Sequence, residues 1–149
     1  MPTRGSEITL RFLAAPTDAG HSGNVSAGRV MEWIDKAGYA CAVGWSGKYC
    51  VTAYVGNLSF TRPVHVGHLV EARARIVNTG RSSMNVLVTV SSGDPRDSRF
   101  HQTTECLMVF VAVDDSGRPI AVPSWEPATP EEAELHRESH RHAAIRADI

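Results

Sequence analysis

The chain lacks the features that mark membrane-spanning, secreted and nucleic-acid-binding proteins. Its 149 residues contain no apolar run near the roughly 20 residues that a transmembrane helix needs. No apolar segment of the signal-peptide kind follows the first basic residues. The formal net charge of -1 argues against a nucleic-acid partner, because such proteins usually present a strongly basic face. We therefore expect one cytoplasmic domain that binds neither a membrane nor a nucleic acid.

Cysteine is also scarce. Cys41, Cys50 and Cys106 are odd in number, widely spaced and set among apolar residues. This pattern predicts buried thiols in a reducing compartment, with no disulfide framework and no metal-ligand spacing.

The remaining sequence predicts a strand, one long helix and four further strands. Polar and apolar residues alternate, at least in part, in four of the five predicted strands, at 8–14, 49–61, 69–79 and 84–91. The alternation of apolar residues in the second strand changes register across Gly56 and Asn57, which predicts a β-bulge or a bend. The fifth, at 102–114, is apolar on both faces, as expected of a strand in mid-sheet or in an oligomer interface.

The helix is the segment around which the sheet is expected to wrap. Ser26 is a suitable N-cap, and helical spacing places five apolar residues on one face: Val30, Met31, Ile34, Ala37 and Cys41. We expect the helix to end before a turn at 44–48. Two small residues, Ala27 and Gly28, open it and leave backbone N–H groups accessible to an oxygen atom. Asp35 lies two turns later, either as a solvated surface residue or as part of a site.

The C-terminal part differs in composition. We divide the chain into a domain at 1–122 and a polar extension at 123–149, which is proline-rich and then charged and contains a peripheral or frayed helix at 131–146. The extension carries three histidines, two of them at i,i+4 spacing: His136, His140 and His142. No carboxylate shell is implied there, so we predict no metal site.

Three segments together resemble the hotdog-fold acyl-CoA thioesterases. The run from Asn24 to Asp35 resembles the family's N/D-x-x-G/A-G-x(6)-D signature, residues 60–67 its F-x-x-P-V-x-V-G segment, and residues 80–83 its G-x-[ST]-S turn. Two departures are visible. Ala27 stands where the family usually has the first of two glycines, and His68 where it commonly has an acidic residue.

The resemblance implies an α+β hotdog fold, in which an antiparallel sheet of five or more strands wraps around one central helix. It also implies hydrolysis of acyl-CoA to the free acid and coenzyme A. The Gly28 N–H would stabilise the oxyanion, Asp35 would act as general base or nucleophile, and Asn24 would orient the water or the thioester. The turn that resembles the family's coenzyme A contact comprises Gly80, Arg81, Ser82 and Ser83. Arg62 is a further candidate for a phosphate contact.

Coenzyme A would be part of the substrate, so no separate cofactor is expected. In the family, the asparagine and the aspartate of one site come from different protomers, which implies a dimer at least and a trimer of dimers as the expected hexamer. Three alternatives stay open. Glu32 could be the catalytic carboxylate in place of Asp35. The protein could be a hotdog dehydratase or enoyl hydratase, although such enzymes need a catalytic histidine that the helix lacks. It could also be a non-catalytic acyl-CoA sensor with the same fold.

Overall fold

The computed structural model describes residues 5–97 and 99–144. Its elements follow the predicted order, with a short 3-10 turn at Pro16–Asp18 and a second helix at the end. The strands are β1 (Glu7–Leu13), β2 (Cys50–Phe60), β3 (Leu69–Thr79), β4 (Ser83–Gly93) and β5 (His101–Ala112). The helices are α1 (Ala27–Ser46) and α2 (Pro130–Ala144).

All five strands form one antiparallel sheet in the order β1-β3-β4-β5-β2, which packs against α1. This arrangement confirms the α+β hotdog fold. The inner face of the sheet buries alternate residues of β3, β4 and β5, such as Ala74, Val88 and Phe110. Gly38 lets α1 approach closely, because a Cβ there would lie 2.9 Å from the Met108 Sδ atom and 3.0 Å from the Phe110 ring. The helix axis is thereby fixed against the sheet, and so are the side chains on its other face.

The predicted turn at 44–48 is wrong in part, because α1 continues to Ser46. The glycine that ends the helix is Gly47, which has a left-handed φ of 69° and donates its N–H to the Val43 carbonyl at 2.8 Å. Trp45 explains the extra turn. Its indole Nε1 donates to the Pro123 carbonyl at 2.9 Å. This contact between residues distant in sequence stabilises the last turn of the helix, although Gly44 favours an earlier end.

The strand β2 forms one edge of the sheet and exposes apolar side chains. The predicted irregularity at Gly56 and Asn57 is confirmed by a register shift between Gly56 and Ser59, and a second shift follows Thr52. Five large apolar residues in or next to β2 are exposed: Tyr49, Val51, Val55, Leu58 and Phe60. The doubly apolar strand β5 lies in mid-sheet between β4 and β2, one of its two predicted places.

The C-terminal segment packs on the sheet. Leu135 of α2 packs on Val77, Leu87 and Leu107 on the outer face, and the Ser139 hydroxyl donates to the Val77 carbonyl at 3.3 Å. The helix is therefore peripheral, as predicted, and docked through its middle turns. The boundary drawn at residue 122 stays a prediction. Among the described residues, no helix is both long enough and apolar enough to cross a membrane.

Candidate active site

The first turn of α1 presents two unbonded backbone donors. Ser26 is the N-cap, as predicted, and its Oγ atom accepts the Arg29 N–H at 3.2 Å. Within the described part of the chain, no acceptor bonds the N–H of Ala27 or Gly28. A Cβ at Gly28 would meet no atom within 4 Å, so the space beside this residue is open.

A cleft of about 230 Å³ lies beside this turn. It is lined by Ala27 and Val30 of the helix, by Phe60 at the end of β2, and by Arg62 and neighbouring residues of the following loop. An oxygen atom in this cleft would meet the positive end of the helix dipole with an apolar wall beside it. The predicted oxyanion donor Gly28 and the predicted phosphate contact Arg62 therefore lie at the same end of the molecule.

Asp35 lies on the exposed side of α1, facing β2. Its Oδ1 atom accepts a hydrogen bond from the Thr52 hydroxyl at 3.5 Å. Thr52 could not be identified from the sequence, since a single threonine in a strand carries no signal until the strand is placed beside the helix. The hydroxyl leaves the other carboxylate oxygen free to act on a proton.

The competing carboxylate is engaged elsewhere. Glu32 accepts from the Arg29 guanidinium at 2.8 Å, and the Nε atom of the same guanidinium lies 3.0 Å from Asp18. These contacts hold Glu32 at the surface of the first turns, whereas Asp35 has no arginine or lysine within ion-pair distance in the described chain.

Asn24 lies in the loop just before α1, and its side chain meets an unexpected partner. Its Oδ1 atom lies 3.0 Å from Nδ1 of His65, which belongs to the loop after β2. No sequence signal indicated this contact. The same loop is fixed to the helix approach by the Val25 N–H, which donates to the Val64 carbonyl at 2.9 Å.

The predicted site residues form two groups in a single protomer. The helix-start group comprises Asn24, Gly28 and Arg62. The mid-helix group comprises Asp35 and the Gly80–Ser83 turn. Thr52, the partner of Asp35, lies opposite Phe110 in the sheet, and Phe110 lies opposite Met84, the residue that follows the turn. Along the helix axis, Gly28 and Asp35 are about 10 Å apart. One protomer therefore does not bring the predicted oxyanion donor and base together.

The Gly80–Ser83 turn has a fixed backbone and an exposed cation. The Gly80 N–H donates to the Ser83 carbonyl at 2.9 Å, and the carbonyls of Arg81 and Ser82 accept from Val122 and Ala112. A Cβ at Gly80 would lie 2.6 Å from the Ser83 Oγ atom, so only glycine fits there without a shift. The Arg81 side chain is exposed and available to an anionic ligand.

The three thiols are buried and free, as predicted. Burial raises the pKa of Cys41 to about 12 and that of Cys106 to about 11, and it also raises the pKa of Cys50. The thiols therefore stay protonated near neutral pH and are poor nucleophiles. No cluster of three potential metal ligands occurs among the described residues, and the side chains of His140 and His142 lie outside them.

Comparison with known proteins places this arrangement in a family. The model of the thioesterase superfamily matches residues 22–98. The acyl-CoA thioester hydrolase YciA of Salmonella typhimurium is 34% identical over 125 residues, which cover 81% of this chain and 93% of that protein. An apo-hexameric acyl-CoA thioesterase of known structure has a TM-score of 0.89 at 32% identity, over 97% of this chain and 94% of that one.

An acyl-CoA hydrolase from Staphylococcus aureus, solved with butyryl coenzyme A, has a TM-score of 0.89 at 25% identity, over 95% of this chain and 87% of that one. Variants of that enzyme with alanine in place of an aspartate and of an asparagine have also been solved. The present chain belongs to the thioesterase superfamily, and it is a thioester hydrolase with the hotdog fold.

Proposed function

We propose that the protein hydrolyses acyl-CoA to a free acid and coenzyme A. The observation that carries this proposal is the pair of unbonded N–H groups at Ala27 and Gly28 in the first turn of α1, at its positive end, where Ala27 lines a cleft. Such donors stabilise the negative charge that develops on a thioester carbonyl oxygen when it is attacked. The relatives named above support the substrate class.

In the proposed reaction, Asp35 removes a proton from water, and the water oxygen attacks the carbonyl carbon. The electron pair of the C=O bond moves to the oxygen, where the Gly28 N–H stabilises it. Collapse of this intermediate breaks the C–S bond and releases coenzyme A as the thiolate, which takes the proton that Asp35 removed from the water, so that Asp35 returns to its carboxylate form. Direct attack by Asp35, which gives a mixed anhydride that water then hydrolyses, fits the same groups. Thr52 would orient the carboxylate in either case.

We further propose that the working unit is a dimer joined through the β2 edge. A two-fold axis at this edge pairs β2 antiparallel with its copy, so that the Cys50 end of one strand lies beside the Phe60 end of the other. Thr52 and Asp35 of one protomer then approach the helix-start group of the second copy. The exposed apolar residues of β2 would be covered at the same time.

A hexamer formed from three such dimers is the proposed assembly, because two hexameric thioesterases, including one from Yersinia pestis, share the fold. The exposed Arg81 and the turn around it would bind the nucleotide and pantetheine parts of coenzyme A, and Arg62 a phosphate. We propose no separate cofactor and no metal requirement. The cytoplasmic location stays a prediction.

One departure from a relative favours a second candidate function. In the S. aureus hydrolase, the altered asparagine at position 28 precedes the altered aspartate at position 43 by 15 residues. When that aspartate is equated with Asp35, the position 15 residues earlier in this chain is Gly20, which has no side chain. A second candidate function is therefore that the protein binds acyl-CoA without hydrolysing it.

A thiol-release assay on acyl-CoA substrates of increasing chain length separates the two functions. We expect turnover of at least one chain length, and unchanged turnover after treatment with a chelator. Activity that a chelator abolishes and zinc restores would contradict the proposal that hydrolysis requires no metal. Binding of acyl-CoA without thiol release at any chain length would replace hydrolysis by the binding function.

A further inference from the structure

A second cavity, of about 540 Å³, adjoins the cleft beside the first turn of α1 and shares Arg62 and Pro63 with it. The connection between β2 and β3 contributes His65 and His68 to its wall, and the connection between β4 and β5 borders the opposite side. Sites for small organic molecules commonly have this size. Of the residues that line this cavity, the proposed hydrolysis uses only Arg62.

A β-bulge turns a further histidine towards this cavity. The register of β4 with β5 shifts between Val90 and Ser91, which leaves Thr103 as an extra residue in β5. Beyond the shift, His101 lies opposite Ser92, and opposite residues of an antiparallel pair project to the same face of the sheet. Without the extra residue, the alternation along β5 would place His101 on the outer face. With it, His101 and Ser92 both line the cavity.

The Ser92 hydroxyl is buried and has no partner in the described part of the chain. The residue is only 5% exposed. Its Oγ atom is not completely enclosed, because the enclosed side-chain atoms without a partner among the described residues are Arg75 Nε and Thr104 Oγ1. The Ser92 hydroxyl therefore keeps its access through the cavity that it lines. Buried polar groups are nearly always hydrogen-bonded, so this position indicates a ligand that accepts from the hydroxyl.

The charges around the cavity favour an anionic ligand. Two carboxylates border it, but each is paired with an arginine. Asp94 lies 2.7 Å from Arg96, and Asp97 lies 3.0 Å from Arg99. Within the described residues, Arg62 has no carboxylate at ion-pair distance, so its charge is not neutralised in this way.

Two imidazoles supply further donors. In the described chain, no protein group hydrogen-bonds the ring nitrogens of His68 or His101. An imidazole has at least one N–H to donate whether it is neutral or protonated. The His68 ring is supported by His65 at a centroid distance of 5.1 Å, and His65 itself is held by Asn24. His68 also stands where the family commonly has an acidic residue, which would repel an anion.

We propose that this cavity binds the phosphate monoester of an organic molecule. Ser92, His68 and His101 would donate to the phosphate oxygens, and Arg62 would supply a positive charge. A phosphate monoester presents three acceptor oxygens and about -1.5 to -2 charge at neutral pH, more than the single charge and two oxygens of a carboxylate. The phosphate belongs either to the nucleotide part of the substrate or to a separate ligand. Binding at this cavity can be measured without turnover, so it does not depend on the proposed hydrolysis.

Calorimetric titration with AMP tests the cavity, and adenosine is the matched compound without the phosphate. We expect AMP to bind at least about 10-fold more tightly than adenosine. His68→Asp should weaken AMP binding at least about 10-fold, because it places a carboxylate against the phosphate. The fold should tolerate this change, since acidic residues are common there in the family. His21→Asp makes the same change at an exposed histidine outside the cavity and should have no effect.

Ser92→Ala separates a ligand contact from a structural role. We expect AMP binding to weaken about 10-fold, the effect of one hydrogen bond to a charged group. The melting temperature should stay level or rise, because a buried hydroxyl without a protein partner is removed. Ser91→Ala is the matched control, since Ser91 is adjacent and does not line the cavity. A hydroxyl that serves only the fold would instead lower the melting temperature and leave AMP binding unchanged.

The source of the phosphate is found by comparing an acyl-CoA with the same acyl group on dephospho-CoA, which lacks the phosphate monoester. If the substrate occupies the cavity, His68→Asp raises KM for the acyl-CoA at least about 10-fold more than KM for the dephospho compound. If a separate ligand occupies it, the ratio of the two KM values is the same in the variant and in the wild type.

Two outcomes would overturn the assignment of this cavity. One is a wild type that binds AMP no more tightly than adenosine. The other is AMP binding that persists at wild-type strength in both His68→Asp and Ser92→Ala, and its loss in Arg81→Ala would then place the phosphate at the Gly80–Ser83 turn. Failure of the wild type to hydrolyse any acyl-CoA would contradict the proposed function and leave the calorimetric result unaffected.

Discussion

The first turn and the middle of α1 have different surroundings, although both lie on the side of the helix that faces away from the core. At the first turn, two backbone N–H groups are unbonded in the described chain, and Ala27 and Arg62 border an open cleft. Two turns later, Asp35 accepts a hydrogen bond from the Thr52 hydroxyl of the edge strand. The first region can stabilise negative charge and the second can accept a proton. The difference between them supports the proposal that a complete site takes one region from each of two protomers.

The largest effect should come from removal of the base. Asp35→Asn keeps the shape of the side chain and its contact with Thr52, but it cannot accept a proton from water. We expect kcat to fall by about 10²- to 10⁴-fold, the span usual for a positioned acid–base group. Coenzyme A affinity should change little, and the melting temperature should stay level or rise.

Glu32→Gln is the control for that experiment, since Glu32 lies one turn earlier and pairs with Arg29. It should retain most of the activity. If Glu32→Gln abolishes turnover while Asp35→Asn spares it, the assignment of the base is wrong although the fold is unaffected.

The proposal that one site combines regions of two protomers can be tested by mixing two variants. Gly28→Pro removes the oxyanion donor in the first turn, where proline is tolerated, and Asp35→Asn removes the base. Each variant alone should be inactive. Co-expressed chains that pair at random should recover about a quarter of the wild-type sites, because each mixed dimer contains one intact site. Thiol release by the purified mixture measures this, and a mixture as inactive as its parents would place the whole site within one protomer.

A substitution that prevents pairing of β2 with its copy should separate the helix-start group of one protomer from Asp35 of the other. Val55→Lys places a charge among the exposed apolar residues of this edge, and edge lysines oppose strand pairing. We expect sedimentation to show a monomer at micromolar concentration, with turnover reduced at least about 10-fold because the site is then incomplete. Leu13→Lys at the opposite edge of the sheet, where Leu13 is 64% exposed, is the matched control and should leave mass and activity unchanged. Full activity of a Val55→Lys monomer would contradict the shared site.

Binding of the acyl-CoA substrate should depend on two arginines, Arg81 near the middle of α1 and Arg62 near its first turn. Arg81→Ala should raise KM about 10-fold with kcat nearly constant, because a charge-assisted bond to phosphate contributes to binding but not to the chemical step. Arg62→Ala should raise KM less. Substrates that lack the nucleotide part of coenzyme A provide the check, since neither variant should affect their turnover.

The local features of α1 could be predicted from the sequence and the long-range ones could not. Ser26 as N-cap and the irregularity near Gly56 follow from the chemistry of neighbouring residues. The contacts of Asp35 with Thr52 and of Asn24 with His65 join residues 17 and 41 positions apart, and they exist only because strand and loop are brought beside the helix. The end of α1 was misplaced for the same reason, since Trp45 is held by a carbonyl far along the chain.

The smallest predicted effect distinguishes the buried side of α1 from its exposed side. Cys41 lies on the buried side, where desolvation raises its pKa from 9.0 to about 12. Between these pH values the unfolded chain binds fewer protons than the folded one, so the stability contributed by the neutral thiol is complete below pH 9 and is lost as the pH rises towards 12. Urea unfolding at pH 8, 9 and 10 should show the free energy of unfolding falling above pH 9, less steeply in Cys41→Val. An equal slope in Cys41→Val would mean that the Cys41 thiol is not the group responsible.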